Sequence, residues 1–249
     1  FNLLLKWIKS NKPLRLFQVL DTPKMTNLLF SFYSFFAITM SINMFITGGR
    51  AGQVGFFVML SIIIFQILDK QRVKSLIIIL IVIPGIFISA YQTSGLFQYR
   101  INLAAQEIYK YSEQSSSSVG LRVNFAINSW QVIKKNPVIG IGTGDFPNEY
   151  NKINQINSPG LPNTTNPHNM YTLVLMQLGL LGLISMLSIF YYQIKLSFNS
   201  SNKLIQDAGF TLPLMFLVMM FSDSYLLGHY TTLMFIFFSS FLYKDFEKN

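Results

Sequence analysis

The chain has 249 residues, of which 51% are hydrophobic, 15% aromatic and only 12% charged. Its apolar runs reach about 20 residues, so the composition excludes a soluble globular domain and indicates an integral membrane protein. The formal net charge of +9 does not indicate a nucleic-acid partner, because the basic residues stand at the ends of apolar runs rather than in a patch between stacking aromatic residues.

The first residues, FNLLLKWIKSNKP, are typical of the end of an apolar helix followed by a basic loop. A signal peptide carries its charge before the apolar stretch and ends in small residues, and this segment has neither feature. We therefore expect the chain to be the C-terminal part of a longer polypeptide.

Six segments are predicted to be membrane-spanning helices, because a helix needs about 20 apolar residues to cross the hydrocarbon layer. They are residues 27–46, 55–68, 76–91, 170–192, 208–226 and 230–243. The expected fold is all-α, a polytopic transmembrane helical bundle forming one membrane domain over residues 1–249. Three spans at 27–91 and three at 170–243 would flank a long, partly helical external loop at 92–169.

The distribution of lysine and arginine predicts how these spans are oriented, since basic residues are retained on the cytoplasmic side. Twelve of the 19 basic residues lie before the first span, between the second and third, between the fourth and fifth, or after the last. Both ends of the chain are therefore expected inside and the 92–169 loop outside. Arg50, Arg122 and His168 are then all predicted on the outer face.

The external loop contains two predicted helices. Residues 100–114 mix apolar and polar residues and predict a helix on the surface, and the serines at 115–118 predict a short hinge. Residues 119–133 carry apolar residues at helical spacing, which predicts a helix lying along the membrane interface. Arg122 stands at the border of that apolar stripe, from where its guanidinium can reach a phosphate. Asn136 and Pro137 end the helix.

The residues before the fourth span are typical of the start of a helix. Pro167 is suited to fix the start of the helix and Asn169 to cap its first turn. Within the span, Gly179 and Gly182 form a small-residue face where another helix could approach closely.

Three side chains on the predicted outer face could act on a substrate. Arg50, flanked by glycines in GGRAG, and Arg122 could simply extend to lipid headgroups. Alternatively, both direct a bidentate cation at a bound phosphate. His168 could be part of the helix cap, or it could accept a hydroxyl proton as a neutral imidazole.

Two further polar residues near the ends of spans have less defined roles. His229 is expected to be structural or interfacial rather than catalytic. Asp223 could pair with one of the cations, and the sequence does not identify which.

Two other kinds of site are not favoured. GIGTGD at 140–145 lacks the preceding strand of a nucleotide-binding turn and is followed by Pro147, so a tight external turn is predicted instead. The chain has no cysteine, its two histidines are far apart and its external acids show no ligand-like cluster, so no metal site and no cofactor are predicted.

Four stretches together resemble the O-antigen ligase and polymerase superfamily. They are TGGRAG at 47–52, the external helix with Arg122 and Trp130, NPVIGIGTGDF at 136–146 and NPHNMYTLVLMQLGLLGL at 166–183. The last is the most specific, since Pro-His-Asn before an apolar helix with Gly-Leu-Leu-Gly is the signature of the superfamily. The resemblance covers residue 27 to the C-terminus. Members have about a dozen spans, so six agree with a partial chain.

The resemblance implies a metal-independent glycosyltransferase of the multi-spanning membrane type, in the bacterial inner membrane with its active site facing the periplasm. Arg50 and Arg122 would bind the pyrophosphate of an undecaprenyl-diphosphate-linked glycan donor. His168 would activate the acceptor hydroxyl, and the anomeric centre would invert. The external loop is short for the superfamily and has a serine run before Arg122, so acceptor recognition is expected to differ.

Several reactions remain open within the resemblance. Ligation of O antigen to lipid A core is the expected one, and O-antigen or exopolysaccharide polymerisation and transfer to protein are alternatives. A transporter of polyprenyl-linked sugars, from a different class, would bind the same pyrophosphate without chemistry. A transporter would be expected to carry polar groups, broken helices or internal symmetry near mid-membrane, and the predicted spans are nearly free of charge at their centres.

Overall fold

The computed structural model describes residues 23–68, 70–110 and 115–243, and every regular element within these ranges is an α-helix. In chain order the helices are α1 (Pro23–Ile46), α2 (Arg50–Ile67), α3 (Arg72–Thr93), α4 (Gly95–Tyr109), α5 (Ser118–Ile133), α6 (Phe146–Asn157), α7 (Met170–Asn199), α8 (Lys203–Met219) and α9 (His229–Leu242). This architecture confirms the predicted all-α membrane bundle. The basic residues before position 23 and after position 243, on which the predicted orientation partly depends, lie outside the described residues.

Four helices are long and apolar enough to cross a membrane, namely α1, α2, α3 and α7. They contain or overlap the predicted spans at 27–46, 55–68, 76–91 and 170–192. The other two predicted spans correspond to shorter helices, because α8 has 17 residues and α9 has 14. The predicted end of the fifth span at residue 226 is wrong. Its helix stops at Met219, and the polar residues that follow make hydrogen bonds in the loop instead.

The prediction for the start of the external loop needs a similar correction. The expected helix at 100–114 begins earlier, at Gly95, where the Ser94 hydroxyl accepts a hydrogen bond from the backbone N–H of Phe97. It does not lie loosely on the surface, because Phe97 and Glu107 are both buried against the rest of the protein. Residues 111–114 of the predicted helix lie outside the described ranges.

Hydrogen bonds define the two ends of the bundle. At one end the Gln66 side-chain amide donates to the Asp207 carbonyl and to the Thr211 hydroxyl, both at 2.9 Å. At the other end the backbone N–H of Met170 donates to the carbonyl of Met220 at 2.9 Å. Helices α4, α5 and α6 and the loop before α7 lie at this second end, which we call the loop end.

Helix α7 joins the loop end to the bundle because it contributes to two hydrophobic cores. The first core is formed with α5 and α6 and contains Phe125, Val132, Ile133, Phe146, Tyr150, Leu173 and Met176. The second is formed with α8 and α9 and contains Val174, Met186, Phe190, Leu212, Phe216, Met220 and Leu242. Helices α5 and α6 are therefore fixed directly to the helix that His168 precedes.

Helix α7 is broken at Gly179, where φ is 63° and ψ is −162°. The segment 137–142 fills the break with four backbone hydrogen bonds. These run from Ile141 to Met176 (3.0 Å), Gly142 to Gln177 (2.9 Å), Leu180 to Pro137 (2.9 Å) and Leu181 to Val138 (3.2 Å). Such a break is stable within an apolar helix only because the freed backbone groups find new partners. The small-residue face at Gly179 thus receives a loop, not the helix that its spacing predicted.

Candidate functional site at the loop end

His168 lies directly before the capped start of α7 and pairs with an acid in the loop that follows α8. Its Nδ1 atom is 3.2 Å from Oδ1 of Asp223, and both side chains are about two-fifths exposed. The same carboxylate oxygen accepts hydrogen bonds from the Asn166 amide at 3.3 Å and from the Ser224 backbone N–H at 2.7 Å. Asp223 is therefore held in place by three donors, and the partner that the sequence left open for it is the histidine.

This pairing fixes which histidine nitrogen is free. An ionised carboxylate can only accept a hydrogen bond, so the proton of a neutral His168 ring stands on Nδ1. The Nε2 atom then keeps its lone pair and can accept a proton from a substrate hydroxyl. The ring also stacks on Phe125 of α5, with centroids 6.0 Å apart and planes inclined by 25°, which restricts its rotation.

The backbone of His168 is strained, because it has the only positive φ of a non-glycine residue within the described ranges, at 51°. Left-handed backbone costs an ordinary residue about 1–2 kcal/mol. A hydrogen bond from the His168 backbone N–H to the Asn166 side chain, at 3.0 Å, holds this conformation. The predicted cap at Asn169 is confirmed, since its side chain accepts from the N–H of Thr172 at 2.9 Å. The chain thus turns sharply at His168 and directs the ring away from the helix axis.

Arg50 is the first residue of α2 and forms an ion pair with Glu107 of α4. The Nη1 atom is 3.3 Å from Oε2 of Glu107, and the two side chains are 27% and 8% exposed. The same carboxylate oxygen accepts a hydrogen bond from the backbone N–H of Val119, in the first turn of α5, at 3.3 Å. Glu107 therefore joins Arg50 to the N-terminus of α5. One feature of the sequence pointed to a role for Glu107, because it is the single acidic residue of α4.

Arg122 is exposed on α5. Within the described part of the chain, no ion pair or hydrogen bond engages its guanidinium. It is three residues after Val119 and three before Phe125, and residues at this spacing are neighbours on a helix surface. Arg122 therefore lies between the turn that contacts Glu107 and the ring that stacks on His168.

Helix α5 is thus the element that brings the three predicted site residues together. Val119 and Phe125 are separated by about 9 Å along the helix axis, at 1.5 Å per residue. Arg50 contacts the first of these positions through Glu107, and His168 contacts the second directly. Arg50, Arg122 and His168 consequently lie at the same end of the bundle and around one helix.

The predicted orientation of α5 on the membrane is only partly in agreement with its packing. Ile133 of the predicted lipid-facing stripe is buried, together with Phe125 and Val132, against α6 and α7. A second, exposed face carries Val123, Ile127 and Trp130. The stripe therefore divides between a protein core and an exposed face, which a helical pattern alone does not distinguish.

A network of asparagines supports α5 from α6. The Asn128 amide donates to the Asn154 carbonyl oxygen at 3.2 Å, and the Asn157 amide donates to the Asn128 oxygen at 3.1 Å. Asn154 in turn donates to the carbonyl of Leu161 at 3.1 Å. Burial raises the pKa of the neighbouring Tyr150 hydroxyl, so this phenol stays neutral and can donate to Asn154. These contacts fix the buried face of α5 against α6.

The glycine turn at 140–145 has the predicted tight geometry, since Gly140, Gly142 and Gly144 have positive φ. No three histidine or acidic side chains come together as a metal-binding group in residues 23–68, 70–110 and 115–243. The predicted site residues at the loop end supply guanidinium groups and a carboxylate-paired imidazole.

Comparisons with known proteins agree with the resemblance noted above. The chain is 34% identical over 120 residues to an uncharacterised protein of Haemophilus influenzae, a match that covers 46% of this chain and 30% of that relative. A family model described as O-antigen ligase matches residues 35–187. Because this match extends over more than half of the chain and includes Arg50, Arg122 and His168, the chain belongs to the O-antigen ligase family.

Proposed function

We propose that this protein is a membrane glycosyltransferase that moves a glycan from undecaprenyl diphosphate to an acceptor hydroxyl on the outer side of the bacterial inner membrane. The proposed reaction is ligation of O antigen to lipid A core. Arg50 and Arg122 bind the pyrophosphate, and His168 activates the acceptor. Membership of the O-antigen ligase family supports the substrate class.

The observation that carries the proposal is the pair formed by His168 and Asp223 beside the arginine-bearing surface of α5. A histidine that served only to cap α7 would need no carboxylate partner, since Asn169 already caps that helix. An imidazole held through Nδ1, with a free Nε2, is instead the arrangement of a general base.

The reaction is a single displacement. Nε2 of His168 accepts the proton of the acceptor hydroxyl as its oxygen attacks the anomeric carbon. The bond from that carbon to the diphosphate oxygen breaks, and undecaprenyl diphosphate leaves with the electron pair. Two guanidinium forks stabilise the charge that develops on the leaving group. The acidic Asp223 stabilises the imidazolium that forms, and attack from the opposite side inverts the anomeric centre.

The proposal is tested with the purified full-length protein in lipid nanodiscs, supplied with an undecaprenyl-diphosphate-linked glycan and either lipid A core or more of the same donor. Mass spectrometry identifies the product, and release of undecaprenyl diphosphate measures the rate. Glycan joined to lipid A core is the expected product. An elongated glycan would show a polymerase instead. In a parallel assay with the protein in sealed vesicles, movement of intact donor across the membrane without a new glycosidic bond would overturn the proposal in favour of transport.

A further inference from the structure

A third arginine lies at the turn that precedes Arg50. Arg100 belongs to α4, and its side chain packs on Gly48. A Cβ atom added to Gly48 would lie 3.0 Å from Nη2, 3.2 Å from Nε and 3.4 Å from Cζ of Arg100. The guanidinium therefore packs closely on the backbone of Gly48, where an added methyl group would make it shift by a few tenths of an ångström.

The Arg100 guanidinium has unused hydrogen-bonding capacity. Its Nε atom is buried, and in the part of the chain that the structure describes it has no hydrogen-bond acceptor. The Nε atom of Arg50 is in the same condition. A buried donor without an acceptor costs about 1–3 kcal/mol and requires an explanation. Two such donors on arginines at one turn indicate that an acceptor-rich group belongs beside them.

Charge leads to the same conclusion. Glu107 neutralises one positive charge at Arg50, so the pair of arginines proposed to bind the pyrophosphate carries, together with Glu107, a net charge of one. A diphosphate esterified at both ends carries one negative charge on each phosphoryl group. Including Arg100 raises the net positive charge to two, which matches the diphosphate.

We infer that Arg100 is a third binding residue for the diphosphate, with its guanidinium held against the backbone of Gly48. The inference rests on the proposed function and adds a binding residue to that site. Helix α4 then has two roles. Glu107 orients Arg50, and Arg100 supplies the second net positive charge that the diphosphate requires. The two residues are seven positions apart and therefore lie on the same face of the helix.

The test measures equilibrium binding of undecaprenyl diphosphate and undecaprenyl monophosphate to the full-length protein in nanodiscs. We expect Arg100→Gln to raise the Kd for the diphosphate by about tenfold or more, the usual worth of a charge-assisted hydrogen bond. The Kd for the monophosphate should rise less, and the dependence of binding on salt should become shallower. Arg72→Gln is the matched control, because Arg72 is exposed at the opposite end of the bundle.

Gly48→Ala provides a second variant that keeps every charge. It should shift the guanidinium by only a few tenths of an ångström, so diphosphate binding should fall less than in Arg100→Gln. The inference is overturned if folded Arg100→Gln protein binds the diphosphate within twofold of the wild type, or if Gly48→Ala, which keeps the guanidinium, weakens binding more than Arg100→Gln does. It is also overturned if the loss is equal for the monophosphate or for phosphatidylglycerol vesicles, because the residue would then recognise any phosphate headgroup.

The result separates this inference from the proposed function. If Arg50→Gln and Arg122→Gln lose binding and Arg100→Gln does not, only the role of Arg100 fails. If neither Arg50→Gln nor Arg122→Gln changes binding, the proposed pyrophosphate site itself is wrong. His168→Ala should leave the diphosphate Kd near the wild-type value in either case, since that ring acts on the acceptor.

Discussion

The Nδ1 atom of His168 lies 3.2 Å from Oδ1 of Asp223, although the two residues are 55 positions apart in the chain. They meet because the beginning of α7 lies against the end of α8, where the N–H of Met170 donates to the carbonyl of Met220. The pair therefore depends on the packing of two helices, and its geometry is set before any substrate binds.

Asp223→Asn should lower the rate of glycan transfer by about 10²–10⁴-fold. The amide that replaces the carboxylate can donate to Nδ1, which favours the ring tautomer with its proton on Nε2 and removes the lone pair that accepts the substrate proton. The measurement is the turnover number of the full-length protein with saturating lipid-linked donor. The affinity for undecaprenyl diphosphate should change little.

Asp207→Asn is the control for this substitution. Asp207 pairs with Lys203 at 2.8 Å on the opposite end of the bundle, so its replacement should leave turnover near the wild-type value. Equal activity of Asp223→Asn and wild-type protein would remove the carboxylate from the mechanism and leave it a role in the loop structure alone.

His168→Ala and His168→Asn should both abolish transfer without preventing membrane insertion. The two variants differ in stability, because asparagine tolerates positive φ much better than alanine does. We expect His168→Ala to lower the melting temperature more than His168→Asn. The measurements are product formation and a thermal denaturation curve in detergent. Transfer at the wild-type rate by either variant would exclude His168 as the general base.

Arg50→Lys and Arg122→Lys should each impair transfer although the charge is kept. A lysine cannot present the planar, bidentate fork that matches two phosphate oxygens. At Arg50 the substitution also weakens the contact with Glu107, so a loss of stability is expected there. Arg122 is exposed, and its lysine variant should keep the wild-type melting temperature. Unchanged kinetics in both variants would favour arginines that merely extend to lipid headgroups.

Glu107→Gln tests whether Glu107 acts by orienting the Arg50 side chain. The glutamine oxygen can still accept from the Val119 N–H, but the ion pair with Arg50 is lost, at a cost of about 1–3 kcal/mol of stability. The measurements are thermal unfolding and the KM for donor. Glu149→Gln is the control, because Glu149 of α6 is 33% exposed and pairs with the exposed Lys152 in its own helix, so this variant should change neither quantity. A variant as stable as the wild type would show that Glu107 does not orient Arg50.

Features that depend on neighbouring residues could be predicted from the sequence. Long apolar runs identified the four helices that are long and apolar enough to cross a membrane, and the Asn169 cap followed from the chemistry of side chain and backbone in one turn. The tight turn of Gly140 to Gly144 was predicted for the same reason, since closely spaced glycines permit positive φ.

Features that depend on distant contacts could not be predicted. The partners of His168 and Arg50 are acids 55 and 57 residues away, and no local pattern encodes such a pairing. The spacing of Gly179 and Gly182 is typical of helix packing. In this protein segment 137–142, not a helix, packs against Gly179. The position of that segment depends on the packing of α5 and α6.

The close approach of segment 137–142 to the break in α7 gives a graded test of the broken helix. A Cβ on Gly140 would lie 2.4 Å from the carbonyl carbon of Gln177, and one on Gly179 would lie 2.3 Å from that of Val138. Both residues also have positive φ. Because each alanine would meet immobile backbone, Gly140→Ala and Gly179→Ala should separate segment 137–142 from α7, lower the melting temperature strongly and reduce transfer.

Substitutions at two other glycines distinguish the cost of left-handed backbone from the cost of a steric clash. Gly144 has φ of 87° with open space around it, so Gly144→Ala should cost only the strain of left-handed backbone, about 1–2 kcal/mol. Gly160 has open space and no positive φ, and Gly160→Ala should change stability by about 0.5 kcal/mol or less. Thermal denaturation of the four variants should therefore rank Gly160 as mildest, Gly144 as intermediate, and Gly140 and Gly179 as most severe. A Gly179→Ala protein as stable as the Gly160→Ala protein would mean that α7 can close into a continuous helix, and that segment 137–142 does not hold the helix that His168 precedes.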